Sequence, residues 1–306
     1  MGVTAAADHR APDPGLPFAG ARIDRVGDIR HDPEQLEALL DTAPTLAVYC
    51  EDGSVLVEPT GELTRVPWSA TDGAPVLLGV DRGHPLVGVD LSGLDADRAR
   101  ALTAGRRLVS LREAGTTLAA DEAGVAAYLV ALLGWHRAHP FCARCGSPTT
   151  VAEAGLTRRC ESCGTTHFPR TDPVVIMTVE SEGRLLMGTR TGWDPGRFSV
   201  LAGFVAPGET PEDAVVREVR EESGITCADP RYVAAQPWPF PSSLMLVFHA
   251  TARGGQEPAP GADGELAAVR WFSRGEIRAM QRGESPLTLP GEVSIARMLV
   301  DRWAGG

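Results

Sequence analysis

The sequence predicts an α+β protein with a β-rich N-terminal region, a cysteine-bearing metal segment and a C-terminal region of mixed strands and helices. Three observations support this fold class. Short apolar runs alternate with turn residues early in the chain, two C-x-x-C pairs follow, and strand-like and helix-like segments then alternate to the end. With 306 residues, 43% of them hydrophobic, the chain can bury one large core or two to three smaller ones.

The N-terminal region reads as a small β-rich unit followed by a helix. Between residues 21 and 88, apolar runs such as 45–49 and 55–57 are separated by turn residues. From residue 117 to residue 139 the apolar positions follow helical spacing, which predicts a helix that leads into the cysteines and is capped by Thr117 or Asp121. No internal repeat is evident in the sequence.

The region after the cysteines predicts a mixed α/β arrangement. Residues 173–179 and 185–187 indicate a strand pair that turns near Glu182 and Gly183. The remaining predicted elements are a strand at 198–205, a helix at 211–223, strands around Ala234 and at 244–250 and 268–272, and a helix at 293–303.

The composition excludes several classes of chemistry. All 29 basic residues are Arg, so neither a catalytic lysine nor a Walker-type phosphate loop is possible. The formal charge of -11 disfavours an extended basic track for nucleic acid, and acidic residues are available to hold divalent cations. No signal peptide and no long apolar span are evident, so we expect a soluble, cytoplasmic protein without a membrane partner.

Four of the six cysteines predict a zinc site. Cys142 and Cys145 form one C-x-x-C pair, Cys160 and Cys163 form the second, and each pair is followed directly by Gly. Four thiolates at this spacing close a tetrahedral site and leave no position for water, so the expected Zn²⁺ is structural, at about one per chain. The isolated Cys50 and Cys227 are expected to be small buried apolar residues.

Residues 203–225 predict a helix with an acidic face. Thr210 is a suitable N-cap, Pro211 suits the first turn and Gly224 ends the helix. Three carboxylates lie at i, i+3 and i+4 on one face: Glu218, Glu221 and Glu222. They repel one another unless cations lie between them, and an all-oxygen ligand set favours Mg²⁺ or Mn²⁺. From these three residues alone, a solvated acidic face is an equal alternative.

The wider pattern around this helix decides against a merely solvated face. Gly203, Glu209 and residues 217–225 (REVREESGI) match every fixed position of the Nudix box, G-x5-E-x7-R-E-U-x-E-E-x-G-U, where U is aliphatic. The chain therefore resembles Nudix hydrolases. This resemblance implies a Nudix α/β/α sandwich and the hydrolysis of a nucleoside diphosphate linked to another group.

A second motif narrows the resemblance. Residues 236–243 read QPWPFPSS, in which three prolines hold the backbone extended and present two aromatic rings. For an arbitrary loop, packing of these aromatics on the core is the simpler interpretation. The segment resembles the SQPWPFPxS motif of the NADH pyrophosphatase subgroup, the NudC-type NAD(H) diphosphatases, with Ala235 in place of the first Ser.

The subgroup resemblance implies an organisation and an activity. It implies a β-rich Nudix-like domain at 1–137, a zinc ribbon at 138–168 and a catalytic Nudix domain at 169–306. It also implies metal-dependent hydrolysis of NAD⁺ or NADH to nicotinamide mononucleotide and AMP and, in some members, removal of the NAD cap from RNA. The implied assembly is a homodimer whose active site is completed across the interface.

The resemblance also implies roles for individual residues. About two or three Mg²⁺ or Mn²⁺ ions are expected on the Ala202 carbonyl, Glu218, Glu222 and Glu265, with Glu221 or Glu222 acting on the attacking water and Arg217 paired to Glu209. Phe168 and Phe204 are expected to stack on a base. The other expected substrate contacts are Arg112, Gln236, Pro237, Trp238, Pro239, Phe240, Pro241, Ser242, Ser243 and Ala296.

Two alternatives remain at this level. The first is a Nudix hydrolase of ADP-ribose or another dinucleotide, against which segment 236–243 and the zinc ribbon both argue. The second is an RNA-binding regulator in which the ribbon docks RNA and the Nudix domain senses a ligand. The complete set of Glu residues argues against such a sensor.

Overall fold

The fold is built on two larger mixed sheets and a small three-stranded one. The structure, a computed structural model, describes residues 16–42, 44–69, 75–262 and 264–305. The stretch 1–15, where a signal peptide would lie, and Asp263, two residues before Glu265, fall outside the described residues. None of the described helices is long and apolar enough to span a membrane.

The N-terminal sheet has the order β4-β5-β1-β2-β6, with β3 beside β1. Strands β1 and β5 run parallel, and the other pairs are antiparallel. The elements are α1 Pro33–Thr42, β1 Leu46–Glu51, β2 Ser54–Val57, β3 Val66–Pro67, β4 Val76–Asp81, β5 His84–Asp90, α2 Ala96–Thr103, β6 Arg107–Ser110, α3 Leu111–Thr117 and α4 Ala120–Ala138.

Helix α4 covers one face of this sheet, since its residues Val125, Leu129 and Leu132 are buried in one core with the strands. The predicted helix is present, but the predicted caps are wrong. Thr117 ends α3, where its hydroxyl donates to the Glu113 carbonyl at 2.9 Å, and Asp121 lies inside the first turn of α4. The N-cap is Ala119, whose side chain makes no capping bond.

The small sheet carries the cysteines and joins the larger sheets. It has the order β7-β8-β9. Its strands are β7 Thr149–Ala152, β8 Thr157–Cys160 and β9 Thr166–His167. The His136 ring at the end of α4 contacts it, because Nε2 lies 2.7 Å from the Gly155 carbonyl and Nδ1 lies 3.2 Å from the Arg158 guanidinium.

The C-terminal sheet has the order β13-β14-β10-β11-β15, with β12 beside β10. Its central strand β10 is parallel to β14 and antiparallel to β11 and β12. The elements are β10 Asp172–Ser181, β11 Arg184–Arg190, β12 Leu201–Phe204, α5 Pro211–Ser223, β13 Cys227–Trp238, β14 Ser243–Ala252, β15 Leu266–Ser273, α6 Arg274–Gln281 and α7 Ile295–Gly305.

Helices cover both faces of the C-terminal sheet. Val215 and Val219 of α5 are buried against one face, with Val175 and Met177 of β10. Leu299 and Val300 of α7 are buried against the other face in a separate core. The predicted strand pair, its turn at Glu182 and Gly183, and the helix at 211–223 are confirmed, whereas α6 was not predicted. Cys50 and Cys227 are buried, as expected.

Candidate active site

Helix α5 begins and ends where its sequence predicts. The Thr210 hydroxyl accepts the Asp213 N–H at 3.2 Å, Pro211 occupies the first turn, and Gly224 adopts φ 71° at the C-terminal end. Because the apolar side of the helix is buried on the sheet, the carboxylates differ in exposure. The side chains of Glu218 and Glu222 are 13% and 3% exposed, whereas that of Glu221 is 47% exposed.

Gly203 allows the helix to approach β12 closely. A Cβ atom at this position would lie 1.9 Å from the Glu218 carboxyl carbon and 2.2 Å from both of its oxygens. The Glu218 carboxylate therefore rests directly on the β12 backbone. This close approach explains why the first position of the motif must be Gly in this chain.

Arg217 fastens the loop before α5 to the helix. Its guanidinium donates to the two Glu209 oxygens at 2.7 and 2.9 Å, to Glu218 Oε1 at 2.8 Å, to Glu221 Oε2 at 2.9 Å and to the Phe204 carbonyl at 2.8 Å. Hydrogen bonds from Arg217 lower the pKa of Glu209 to about 2. The expected pair of Arg217 and Glu209 is present, and it also orients two carboxylates of the acidic face.

Arg190, at the end of β11, was missed by the sequence interpretation. Its Nη2 lies 3.1 Å from the Ala202 carbonyl, 2.7 Å from Glu265 Oε1 and 3.8 Å from Glu222 Oε1. It therefore joins three of the four groups expected to bind metal. The only sequence signal was an unassigned Arg shortly before the Nudix box, and its partners lie on other elements of the sheet.

Burial makes the acidic face a strong candidate for a divalent cation. Burial raises the pKa of Glu222 to about 8, an effect that the Arg190 charge opposes, and it also raises the pKa of Glu218. Glu222 Oε2 is buried and has no hydrogen-bond partner among the described residues. Hard oxygen donors with an unsatisfied buried oxygen fit Mg²⁺ or Mn²⁺.

A cavity of about 970 Å³ opens above the acidic face. The structure brings many of the sequence-predicted site residues together in its lining: Arg112, Ala202, Phe204, Glu218, Glu222, Gln236, Trp238, Phe240, Ser243, Glu265 and Ala296. The cavity lining does not include Phe168, Glu221, Pro237, Pro239, Pro241 or Ser242. It adds residues without a sequence motif, among them Arg190, Trp193 and Arg197.

An aromatic wall lines the same cavity as the carboxylates. The rings of Trp238 and Phe240 meet edge to face at 4.9 Å, and Phe18 packs against both. The Arg112 guanidinium lies over the Phe240 ring at 4.1 Å and near the Trp238 ring at 5.0 Å. The N-terminal region thus contributes a cation to a cavity that is otherwise formed by the C-terminal region.

Gln236 supports the cavity wall through its buried side chain. The amide donates to the carbonyls of Pro17 and Val293 at 3.1 and 3.0 Å and accepts the Ile295 N–H at 2.9 Å. These bonds hold the start of α7, which carries Ala296, against β13. Ser242 also makes a structural contact, because its hydroxyl donates to Asp172 at 2.8 Å.

The two phenylalanines expected to stack on a base are both exposed. Phe204 is 61% exposed and lines the cavity, whereas Phe168 is 68% exposed and does not line it. Phe168 directly follows β9 at the end of the cysteine-bearing sheet. Within one chain, the structure therefore does not bring the two rings together in the cavity.

The four cysteines form a separate metal centre. Their Sγ atoms all lie within 4.8 Å of one another, and in the described part of the chain this is the only cluster of three or more metal-ligand side chains so gathered. Gly146 and Gly164 adopt φ 75° and 72°, and each donates its N–H to the carbonyl of the first cysteine of its pair. Four sulfur ligands fit one structural Zn²⁺. His167 Nε2 lies 3.2 Å from Cys142 Sγ.

Comparison with known proteins places three family models along the chain. Residues 39–135 match the NADH pyrophosphatase-like rudimentary NUDIX domain, residues 137–168 match the NADH pyrophosphatase zinc ribbon domain, and residues 169–289 match the NUDIX domain. The chain is also 36% identical over 274 residues to the NAD-capped RNA hydrolase NudC of Stutzerimonas stutzeri. This match covers 86% of this chain and 92% of that protein.

The chain belongs to the NudC family. A further member, the NAD-capped RNA hydrolase NudC of Mycobacterium bovis, is 42% identical over 204 residues, and the match spans 64% of this chain and 65% of the length of that protein. A solved NUDIX hydrolase from Nitrosomonas europaea superposes with a TM-score of 0.39 at 24% identity, covering 49% of this chain and 96% of that one. The four-cysteine cluster of this chain lies within the residues that match the zinc ribbon domain of the family.

Proposed function

We propose that this protein hydrolyses the diphosphate bond of NAD⁺ or NADH to give nicotinamide mononucleotide and AMP. We also propose that it removes the NAD cap from the 5′ end of RNA by hydrolysing the same bond. One observation carries the proposal: a single cavity is lined both by the buried Glu222 carboxylate and by the wall of Trp238, Phe240 and Arg112. The carboxylates supply a site for cations, and the aromatic wall supplies an apolar surface for a base. The relatives named NAD-capped RNA hydrolase NudC support the same substrate class.

The metal-binding groups of the proposed site are the Ala202 carbonyl, Glu218, Glu222 and Glu265. Bound Mg²⁺ or Mn²⁺ ions, about two or three per site, would neutralise the diphosphate and lower the pKa of a bound water. Arg190 keeps Ala202, Glu222 and Glu265 converged by its three contacts. Removing these charges from solvent strengthens their interaction with the diphosphate.

The proton of the attacking water passes to Glu221 or to Glu222. Glu221 is exposed and bonded to Arg217, whereas Glu222 is buried beside the β12 strand. The two assignments differ in their consequences for the pH–rate profile. Replacing the true base by Gln removes the acidic limb of the profile for kcat, whereas replacing the other residue lowers the rate and leaves the limb in place.

Base recognition in the proposed site requires a second copy of the chain. Phe204 offers one stacking face at the cavity, and Phe168, exposed on the ribbon of a second copy, would supply the other. Light scattering should give twice the chain mass. Phe168→Ala should raise the KM for NAD⁺ with little change in kcat, because stacking acts on the bound base and not on the phosphorus. A monomeric, fully active protein would contradict this assembly.

The thiolate zinc site and the free buried cysteines support a reducing compartment, so we place the protein in the cytoplasm. The activity is tested by incubating the purified protein and Mg²⁺ or Mn²⁺ with NAD⁺, NADH and ADP-ribose and separating the products. Nicotinamide mononucleotide and AMP are expected from the dinucleotides. Rapid cleavage of ADP-ribose without nicotinamide mononucleotide would overturn the proposed substrate class.

A further inference from the structure

The loop of residues 191–197, between β11 and β12, forms the side of the cavity that carries no family motif. Backbone hydrogen bonds hold it to the segment before α7: Thr288 donates to the Gly196 carbonyl and Phe198 donates to the Thr288 carbonyl, both at 2.9 Å. Gly196 adopts φ 85°, and a Cβ atom there would lie 3.0 Å from the Pro286 carbonyl. The backbone on both sides of Arg197 is therefore fixed.

The Arg197 side chain is oriented but has no anionic partner. Its Cζ lies 4.7 Å from the centroid of the Trp193 ring, and both residues line the cavity. Its Nε is buried without an acceptor, and no carboxylate of the described residues forms an ion pair with it. In a chain with 40 acidic and only 29 basic residues, carboxylate partners are abundant. An Arg left unpaired and stacked on an aromatic ring is preorganised for an external anion.

A phosphate group fits this cation. A planar guanidinium donates two parallel hydrogen bonds to phosphate oxygens, and the Arg197 guanidinium, which has no carboxylate partner among the described residues, lies over the Trp193 ring in the cavity lining. The carboxylates of Glu218 and Glu265 line the same cavity, so a lone weak anion would be repelled. A phosphate group that is tethered to a ligand bound elsewhere in the cavity can pair with the guanidinium, and the other contacts of that ligand offset the repulsion by the carboxylates.

We propose that Arg197, braced by Trp193, is a phosphate-binding subsite of the cavity; the identity of the phosphate rests on the proposed function. Two phosphates of that substrate class share this chemistry. One is the 5′-diphosphate itself, present in both NAD⁺ and capped RNA. The other is the 3′-phosphodiester that continues an RNA chain beyond the capped adenosine.

Equilibrium binding of two small nucleotides separates these sources without any need for turnover. AMP carries only the 5′-phosphate, and adenosine 3′,5′-bisphosphate carries both phosphates. Titration calorimetry in the presence of Mg²⁺ would compare wild type, Arg197→Gln and Arg197→Lys. Arg253→Gln is the matched control, because Arg253 is exposed and lies outside the cavity lining. Loss of a charge-assisted phosphate contact weakens binding by about tenfold or more, and Lys should restore part of it.

The binding data either show which phosphate Arg197 contacts or contradict the proposed subsite. Weaker binding of both nucleotides to Arg197→Gln places the 5′-phosphate on Arg197, and KM should then rise for NAD⁺ and capped RNA alike. Weaker binding of the bisphosphate alone places the 3′-phosphate there, and only capped RNA should show a raised KM. If Arg197→Gln binds both nucleotides as wild type and Arg253→Gln do, with an unchanged Tm, the subsite does not exist. Wild type that binds both nucleotides but cleaves no dinucleotide would refute the proposed function and leave the subsite standing.

Discussion

The two larger sheets have the same topology and differ in what is inserted into them. In each sheet, a central strand, β1 or β10, pairs antiparallel with the strand that follows it and parallel with a later strand, β5 or β14. A short strand, β3 or β12, pairs with the same central strand. Residues 205–226 then carry α5 in the C-terminal region, whereas only residues 68–75 join β3 to β4, which is too few for the 13-residue α5.

This shared topology is not evident as a repeat in the sequence. The N-terminal sheet acts mainly as a packing scaffold, whereas the C-terminal region carries the carboxylates of the proposed site. The family model that matches residues 39–135 is described as rudimentary, in agreement with the short connection between β3 and β4. Glycines at close contacts show the difference locally. A Cβ atom on Gly88 would lie 2.4 Å from the apolar Leu129 side chain, whereas one on Gly203 would meet the Glu218 carboxylate. The close glycine of the N-terminal sheet therefore serves apolar packing, whereas Gly203 of the C-terminal sheet, which also packs apolar cores on both faces, makes room for a carboxylate.

The largest effect is expected from Glu222→Gln. The substitution keeps the shape of the buried side chain but removes one metal-binding charge, so turnover should fall by more than about a thousandfold. Glu212→Gln, on the exposed side of the same helix, is the matched control and should retain activity. Steady-state kinetics and circular dichroism on both variants make the comparison. A Glu222→Gln variant with the activity and metal dependence of wild type would contradict the assignment of chemistry to α5.

We expect the zinc ribbon to have a structural role and to stabilise the adjoining end of α4, which packs on the N-terminal sheet. Cys160→Ser removes one of four thiolate ligands, so bound zinc should fall from about one per chain to none, because metal binding is coupled to folding. Hydrogen exchange should accelerate in β7 and β8 and at the end of α4, where His136 contacts the ribbon. Unchanged zinc content by mass spectrometry would show that this cysteine is not a ligand.

A matched pair of glycine substitutions tests the comparison directly. Gly203→Ala should push the Glu218 side chain off β12 and lower kcat by about ten- to a hundredfold with little change in Tm, since the end of a flexible side chain can move. Gly88→Ala overpacks the buried contact with Leu129 and should cost about 1–3 kcal/mol of unfolding free energy with little change in kcat. A loss of stability in Gly203→Ala with unchanged kcat, together with a loss of kcat in Gly88→Ala with unchanged stability, would contradict the roles assigned to the two sheets.

The smallest effect concerns pH. Burial lowers the pKa of His136 below its ordinary value of 6.5, and the neutral ring fits its partners, since Nε2 donates to Gly155 and Nδ1 faces the Arg158 guanidinium. A lowered pKa in the folded state means that this stability is present above pH 6.5 and is lost as the pH falls below it. The Tm of wild type should therefore decline more steeply below pH 6.5 than the Tm of His136→Gln. Parallel declines would contradict the role of this ring.

Local signals predicted much of the C-terminal region. Thr210, Pro211 and Gly224 define the ends of α5, and the four-residue spacing of Val215 and Val219 defines its buried side. Helix α6 also carried a local signal that was overlooked, because Ser273 and Glu276 form a capping box.

Contacts between distant segments could not be predicted in the same way. Arg190 reaches its partners from another strand, and Arg112 reaches Phe240 from the N-terminal region. The side chain of Gln236 was expected at the substrate, yet all of its described hydrogen bonds join backbone groups. Pairings of this kind depend on the register of the sheets and the packing of α7, which no local pattern encodes.

A single time course tests the central claim most directly. Wild type and Glu222→Gln would be incubated in parallel with NAD⁺ and Mg²⁺, and nicotinamide mononucleotide and AMP would be quantified together. Wild type should release the two products in equal amounts, and the variant should release neither. Equal rates from the two proteins, or loss of NAD⁺ without nicotinamide mononucleotide, would contradict the account.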